Sequence, residues 1–196
     1  MSASRLHLTG SDAADTLLSR DPLALLIGML LDQQFPMERA FASPLLLAER
    51  QGVDTLDATA IAGADLEHLT TLFRGPPALH RYPGSMAART QELCALLVRE
   101  YDGDAAAVWT GATSATELRE RLRALPGFGD AKSRIFLALL GKRLGVRPRG
   151  WREAAAPYGE DGSRRSIADV VDATTLAEVR ATKQAAKAAA KAAAAT

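Results

Sequence analysis

The sequence predicts an all-α protein. Apolar residues recur at helical spacing along most of the chain, no run of alternating β-branched residues marks a strand, and 47% apolar content over 196 residues is enough to build an ordinary core. Gross disorder is excluded on the same ground.

The elements follow in order. Asp21-Pro22 has the form of an N-cap with proline at the first helical position, and it opens Leu23 to Leu31, which is apolar nearly all round and predicts a buried central helix. Phe35-Pro36 ends that run, Met37 to Arg50 predicts a second helix, and Gln51-Gly52 stops it. Thr55 to Thr71 predicts two short helices split near Gly63, followed by a break at Arg74-Gly75-Pro76-Pro77. Met86 to Tyr101 predicts a helix with Leu93, Leu96, Leu97 and Tyr101 on one face. Ser114 with Glu117 three residues on is a capping-box signature for a helix running to Leu125. After Pro126-Gly127-Phe128-Gly129 a further helix, Asp130 to Leu144, turns Ile135, Phe136, Leu139, Leu140 and Leu144 inward. Val146 to Gly162 reads as an ordered return loop holding Trp151 and Tyr158, and Asp169 to Val179 as a last short helix. Residues 1–182 form one helical unit with its hairpin at 114–144. Residues 183–196 are an alanine-rich tail whose Lys183, Lys187 and Lys191 share one stripe of any helix that forms; the tail is either an auxiliary phosphate contact or a frayed polar end.

Charge is distributed unevenly. The net charge is +1, yet residues 1–116 carry 8 arginines against 14 acids, while residues 118–149 carry 9 basic residues against Glu120 and Asp130. Such asymmetry fits a locally anion-binding protein or a solvated basic face. The single cysteine, Cys94, excludes an internal disulfide and a cysteine-ligated iron–sulfur cluster. Together with the lack of a basic-then-apolar N-terminal signal, this leads to the expectation of a cytoplasmic protein. His7, His68 and His80 are too scattered to ligate a metal, and the longest apolar run is too short to span a bilayer.

Leu125-Pro126-Gly127-Phe128-Gly129 carries the most chemistry. Between two amphipathic helices, its glycines open backbone angles closed to other residues and let a phosphate approach the main chain. The amides that start the next helix sit at the positive end of its dipole, a ready anion site. Leu125 and Phe128 anchor the turn by packing between the helices, giving a sequence-independent grip on phosphate.

That pentapeptide and its following helix, with Asp21-Pro22-Leu23 through Leu31-Asp32-Gln33-Gln34 before it and Tyr82 to Gly103 between, resemble the helix-hairpin-helix DNA glycosylase superfamily of base excision repair. The resemblance covers residues 20–150. It implies a two-lobed helical glycosylase-like fold, double-stranded DNA as partner, a nucleoid-associated location, and no cofactor beyond a monovalent cation held by the hairpin carbonyls. It implies phosphate contacts at Gly127, Phe128 and Gly129, with Lys132 and Arg134 adding charge on the helix behind them. It also places Gln33 or Gln34 near the gap left by an extruded base, the other reading of these glutamines being a hydrogen-bonding role at the helix end. His80, Tyr82 and Trp151 become base-pocket candidates, with a structural histidine and a core-anchoring tryptophan as the plainer readings.

Two departures bear on catalysis. Members that also cleave the DNA backbone place a lysine two residues after the second hairpin glycine; here that residue is Ala131, and Lys132, turned by about 100° along the helix, should point elsewhere, toward phosphate. The superfamily's aspartate beyond the hairpin aligns with Arg149, leaving Glu153, Glu160 or Asp161 as substitutes, Glu153 being the nearest. The sequence therefore implies a monofunctional glycosylase, or a DNA-binding relative that has lost catalysis.

Overall fold

The computed structural model describes residues 5–193; residues 1–4 and 194–196, the last three of the Lys/Ala tail among them, lie outside the described residues. The described chain is helical, with no strand among those residues.

The first two helices each start at a polar cap. Ser11 caps α1 (Asp12–Arg20), an element not expected from the sequence, and Asp15 within it accepts from the Leu8 and Thr9 amides to fix the incoming chain. Asp21 then caps α2 (Pro22–Leu31), accepting from the Ala24 amide at 3.0 Å and, through its other oxygen, from the Leu56 amide at 2.9 Å. Every residue from Leu23 to Leu31 is buried, as its unbroken apolar run requires. α3 (Met37–Gln51) ends on left-handed Gly52, and the short α4 (Ala58–Ala62) and α5 (Leu66–Arg74) flank Gly63 as expected. α6 (Pro83–Tyr101) begins three residues early because Pro83 itself takes the first helical position. Its buried stripe runs through Met86, Ala87, Thr90, Leu93, Cys94 and Leu97, leaving Leu96 and Tyr101 half-buried.

A short α7 (Ala107–Thr110) leads to α8 (Ala115–Ala124). Ser114 accepts from the Glu117 amide, but the Glu117 carboxylate turns to Thr113 and Arg121, so only half of the expected capping box forms. α9 (Asp130–Arg143) is buried from Phe136 to Gly141, a fuller burial than one inward stripe would give. The return loop contains α10 (Trp151–Ala154), which lays the Trp151 ring against Gly141: a Cβ built there would lie 2.4 Å from the ring. Gly141→Ala is therefore expected to lower stability by about 1–3 kcal/mol, read as a fall in Tm.

A 3-10 turn, Ile167–Asp169, precedes α11 (Ala173–Ala193), which replaces the expected short helix and absorbs most of the Lys/Ala tail. The buried Asp169 anchors this end, accepting from Lys142 at 2.6 Å, from Ser163, and from the Arg165 amide. Helices α1–α6 pack chiefly on one another, as do α7–α11, around an apolar core that runs through both sets. No described helix is long and apolar enough to cross a membrane.

Candidate nucleic-acid interface

The turn between α8 and α9 is rigid for reasons internal to it. Leu125 and Phe128 are buried, the Phe128 ring meets Phe136 edge-on at 5.9 Å, and the Phe128 amide donates to the Leu125 carbonyl at 3.0 Å. That amide is thus spent on the turn, which removes Phe128 from the expected set of phosphate donors. Gly127 has φ +78°, and a Cβ there would lie 2.4 Å from Leu30 Cδ1 and 3.0 Å from Arg89 Cδ. The turn is seated on the end of α2, and this contact demands glycine.

Gly129 differs. Its φ of −78° and ψ of −176° suit any residue, and a Cβ would meet nothing within 4 Å. Neither the backbone nor the packing asks for glycine. α9 also starts without a side-chain cap, and the first amide to bond backward is Ser133 to the Gly129 carbonyl at 3.0 Å. The amides of Asp130, Ala131 and Lys132 lack intrahelical partners at the positive end of the dipole, beside open space that a side chain at 129 would fill.

The cations near this turn are less free than their number implies. Asp130 pairs with Arg119 and, at 2.9 Å, with Arg134, whose guanidinium also donates to the Ala156 carbonyl. These guanidinium groups hold the Asp130 carboxyl below its usual range, Arg119 contributing most through its hydrogen bond. Lys132 corrects the expectation of a phosphate contact. Its ammonium is mostly buried and donates to the Met29 and Leu30 carbonyls at 2.7 and 2.6 Å, tying α9 to the C-terminal end of α2. Burial pushes its pKa down to about 8. Arg89, which no local sequence signal marks, lies against Gly127 with no ion pair among the described residues. Ala131, where lyase-competent relatives would carry lysine, is exposed.

Beyond the Lys132 contact, the chain leaving α2 borders a cavity of about 650 Å³ lined by Asp32, Gln34, Phe35, Arg81, Lys183 and Lys187. Gln33 folds back, its amide donating to the Leu30 carbonyl at 2.8 Å, so it fills the helix-end role. Gln34 is exposed in the left-handed region (φ +52°), with no hydrogen bond to its side chain among the described residues. A non-glycine residue held there stores strain, a feature that concentrates at functional sites.

His80 is buried behind this cavity. Its Nδ1 accepts from the Tyr82 amide at 3.0 Å, so Nε2 carries the proton and donates to the Gln33 carbonyl at 2.9 Å. Both nitrogens are committed, and burial lowers the pKa, so His80 braces the loop as a neutral ring instead of contacting a base. Its ring lies 4.8 Å from Phe35 and 6.1 Å from Tyr82. Tyr82 is 45% exposed, with the Arg81 guanidinium 5.3 Å from its ring centre, and so offers an aromatic face to solvent.

No family model matches the chain, and no curated protein matches it.

The return loop does not join this cluster. Trp151 packs on Gly141 with Arg152 over its ring, and it lines a different cavity with Lys142 and Asp169, which makes it a core anchor. Arg149 is exposed. Glu153 lines a separate cavity with Arg119 and Arg123 on α8, Asp161 pairs with Arg152, and Glu160 is exposed while its carbonyl accepts from Lys142. The Cys94 thiol is buried and pushed up to about 12 by burial, which leaves it unreactive. Among the described residues no group of three or more His, Cys, Asp or Glu side chains is placed to hold a metal ion.

Proposed function

We propose that the chain is a DNA-binding member of the helix-hairpin-helix glycosylase superfamily, a monofunctional DNA N-glycosylase of base excision repair that works in the cell interior at the nucleoid. The observation that carries this reading is Gly129, a glycine that neither φ nor packing requires, placed where an uncapped helix presents its first amides. A phosphate against those amides would account for it, with Arg89, whose aliphatic stem lies against Gly127, adding charge. Gln34 then serves as the wedge at the gap left by the extruded base, and Tyr82 as a stacking face. The lysine stripe of α11 extends the cationic surface past the cavity.

A second reading, a DNA-binding module without catalysis, is favoured by one observation: the acids of the return loop lie away from the cavity beside the hairpin. Single-turnover base release from duplexes carrying a panel of lesions separates the two. Release from at least one lesion, with the strand left uncut, is expected of the glycosylase; binding to all duplexes with release from none would leave only the binding module.

A further inference from the structure

The cavity beside the hairpin contains one carboxylate that the fold holds only loosely. Asp32 follows the last residue of α2, and its side chain is only 12% exposed. Its one hydrogen-bonding partner among the described residues is Lys183, with Nζ 3.5 Å from Oδ2, well beyond the usual length of about 2.8 Å for a charge-assisted bond, and the buried Lys132 ammonium acts on it only through space. Oδ1 accepts no bond from any of the described residues. An acid at the C-terminal end of a helix opposes the macrodipole, where a cation would be favoured by about 0.3–1 kcal/mol. Asp32 is also the one acid among the residues lining the cavity, opposite the cations Arg81, Lys183 and Lys187.

Its position relative to the hairpin gives this acid a use. The Met29 and Leu30 carbonyls hold Lys132 of α9, and the Leu30 side chain lies under Gly127. Within two residues the same segment reaches Asp32. A phosphate held at the hairpin and a nucleoside in the cavity would therefore be close neighbours on one strand.

We propose that Asp32 is the carboxylate that stabilises the sugar cation formed when the N-glycosidic bond of the extruded nucleoside breaks, so that the chain supplies within the cavity the acid its return loop lacks. The proposal rests on the DNA glycosylase reading. Breaking the C1′–N bond sends the electron pair to the base, which takes a proton from solvent, and leaves C1′ cationic opposite the carboxylate. Water then adds its oxygen to C1′, and its released proton passes through the carboxylate to solvent. The products are the free base and an abasic sugar. Arg81, Lys183 and Lys187 suit the flanking phosphates, so that a negative centre for the cation lies within a positive rim for the backbone.

The test needs no knowledge of the lesion. Two duplexes are compared, one with a pyrrolidine abasic analogue, cationic at neutral pH and a mimic of the sugar cation, the other with a neutral tetrahydrofuran analogue. The wild-type chain is expected to bind the pyrrolidine duplex about tenfold or more tightly than the tetrahydrofuran duplex. Asp32→Asn should abolish that preference, read as the ratio of the two affinities within each variant, whereas Glu153→Gln and Lys183→Met should retain it. Equal wild-type affinity for both duplexes overturns the role of Asp32 while leaving DNA binding standing, and it does so whether or not the variant folds. A preference that survives Asp32→Asn, or is lost equally in Lys183→Met, also overturns it, the latter outcome making Asp32 an anchor for α11. Failure to bind either duplex sinks the DNA reading itself.

Discussion

Gly129→Asp is expected to leave the fold as stable as wild type, or slightly more so, and to weaken duplex binding by at least tenfold. Aspartate is among the best N-cap residues, and its carboxylate at position 129 would accept from the α9 amides that now have no cap. The gain over glycine is a few tenths of a kcal/mol. The same carboxylate would occupy the place of the phosphate and repel it, removing charge-assisted hydrogen bonds worth about 1.5–3 kcal/mol each. Gly127→Ala should behave in the opposite sense. Its φ of +78° and the 2.4 Å approach to Leu30 Cδ1 make it a lesion of the fold, costing about 2–4 kcal/mol. Melting curves and anisotropy titrations of the two variants, read side by side, separate the two roles. Unchanged affinity in a well-folded Gly129→Asp would remove the hairpin from the binding surface.

Lys132→Met is expected to destabilise the protein by about 1–3 kcal/mol at neutral pH, because the Met29 and Leu30 carbonyls lose a charged donor and are too enclosed for water to replace it fully. The loss should grow with alkalinity. Burial lowers the Lys132 pKa to about 8 from its ordinary 10.5, so the folded state releases this proton more readily than the unfolded chain does. Between those two values the unfolded state binds more protons, and the contribution of Lys132 to stability rises with pH. Below pH 8 both states are protonated and the contribution is flat. Urea melts of wild type and variant at several pH values check this, and the difference between the curves isolates Lys132 from every other titrating group. A difference that shrinks from pH 8 to pH 10 would contradict the buried-ammonium geometry.

The parts of the fold legible in the sequence are those where a local signal and burial agree. Asp21-Pro22 ahead of nine apolar residues fixes α2, and Gly52 and Gly63 punctuate α3 to α5 as their positions imply. α11 was not legible. Its alanine-rich second half reads as a separate tail, yet Leu176 and Val179 bury its first half and Arg180 and Lys183 reach Glu38 and Asp32, which carries one helix across the expected boundary.

At the candidate site, the turn itself could be read from its glycines, but the division of labour between them could not: only tertiary contact shows that Gly127 serves the fold while Gly129 does not. For Lys132, the helix rotation of about 100° per residue gives a direction but not a partner. The carbonyls it reaches lie a hundred residues earlier in the chain, beyond any local pattern. Asp32 did leave a trace, an acid at the C-terminal end of an apolar helix where the dipole favours a cation, and such a local misfit is where functional residues are to be sought.

The central claim is that the hairpin grips the DNA backbone. The most direct test is the equilibrium affinity of the wild-type chain for a duplex with a tetrahydrofuran abasic site, measured from about 50 to about 200 mM salt. Measurable binding is expected at the low end, with a linear fall of log K with log salt whose slope reflects several neutralised phosphates. No binding at low salt, or an affinity indifferent to salt, would contradict it.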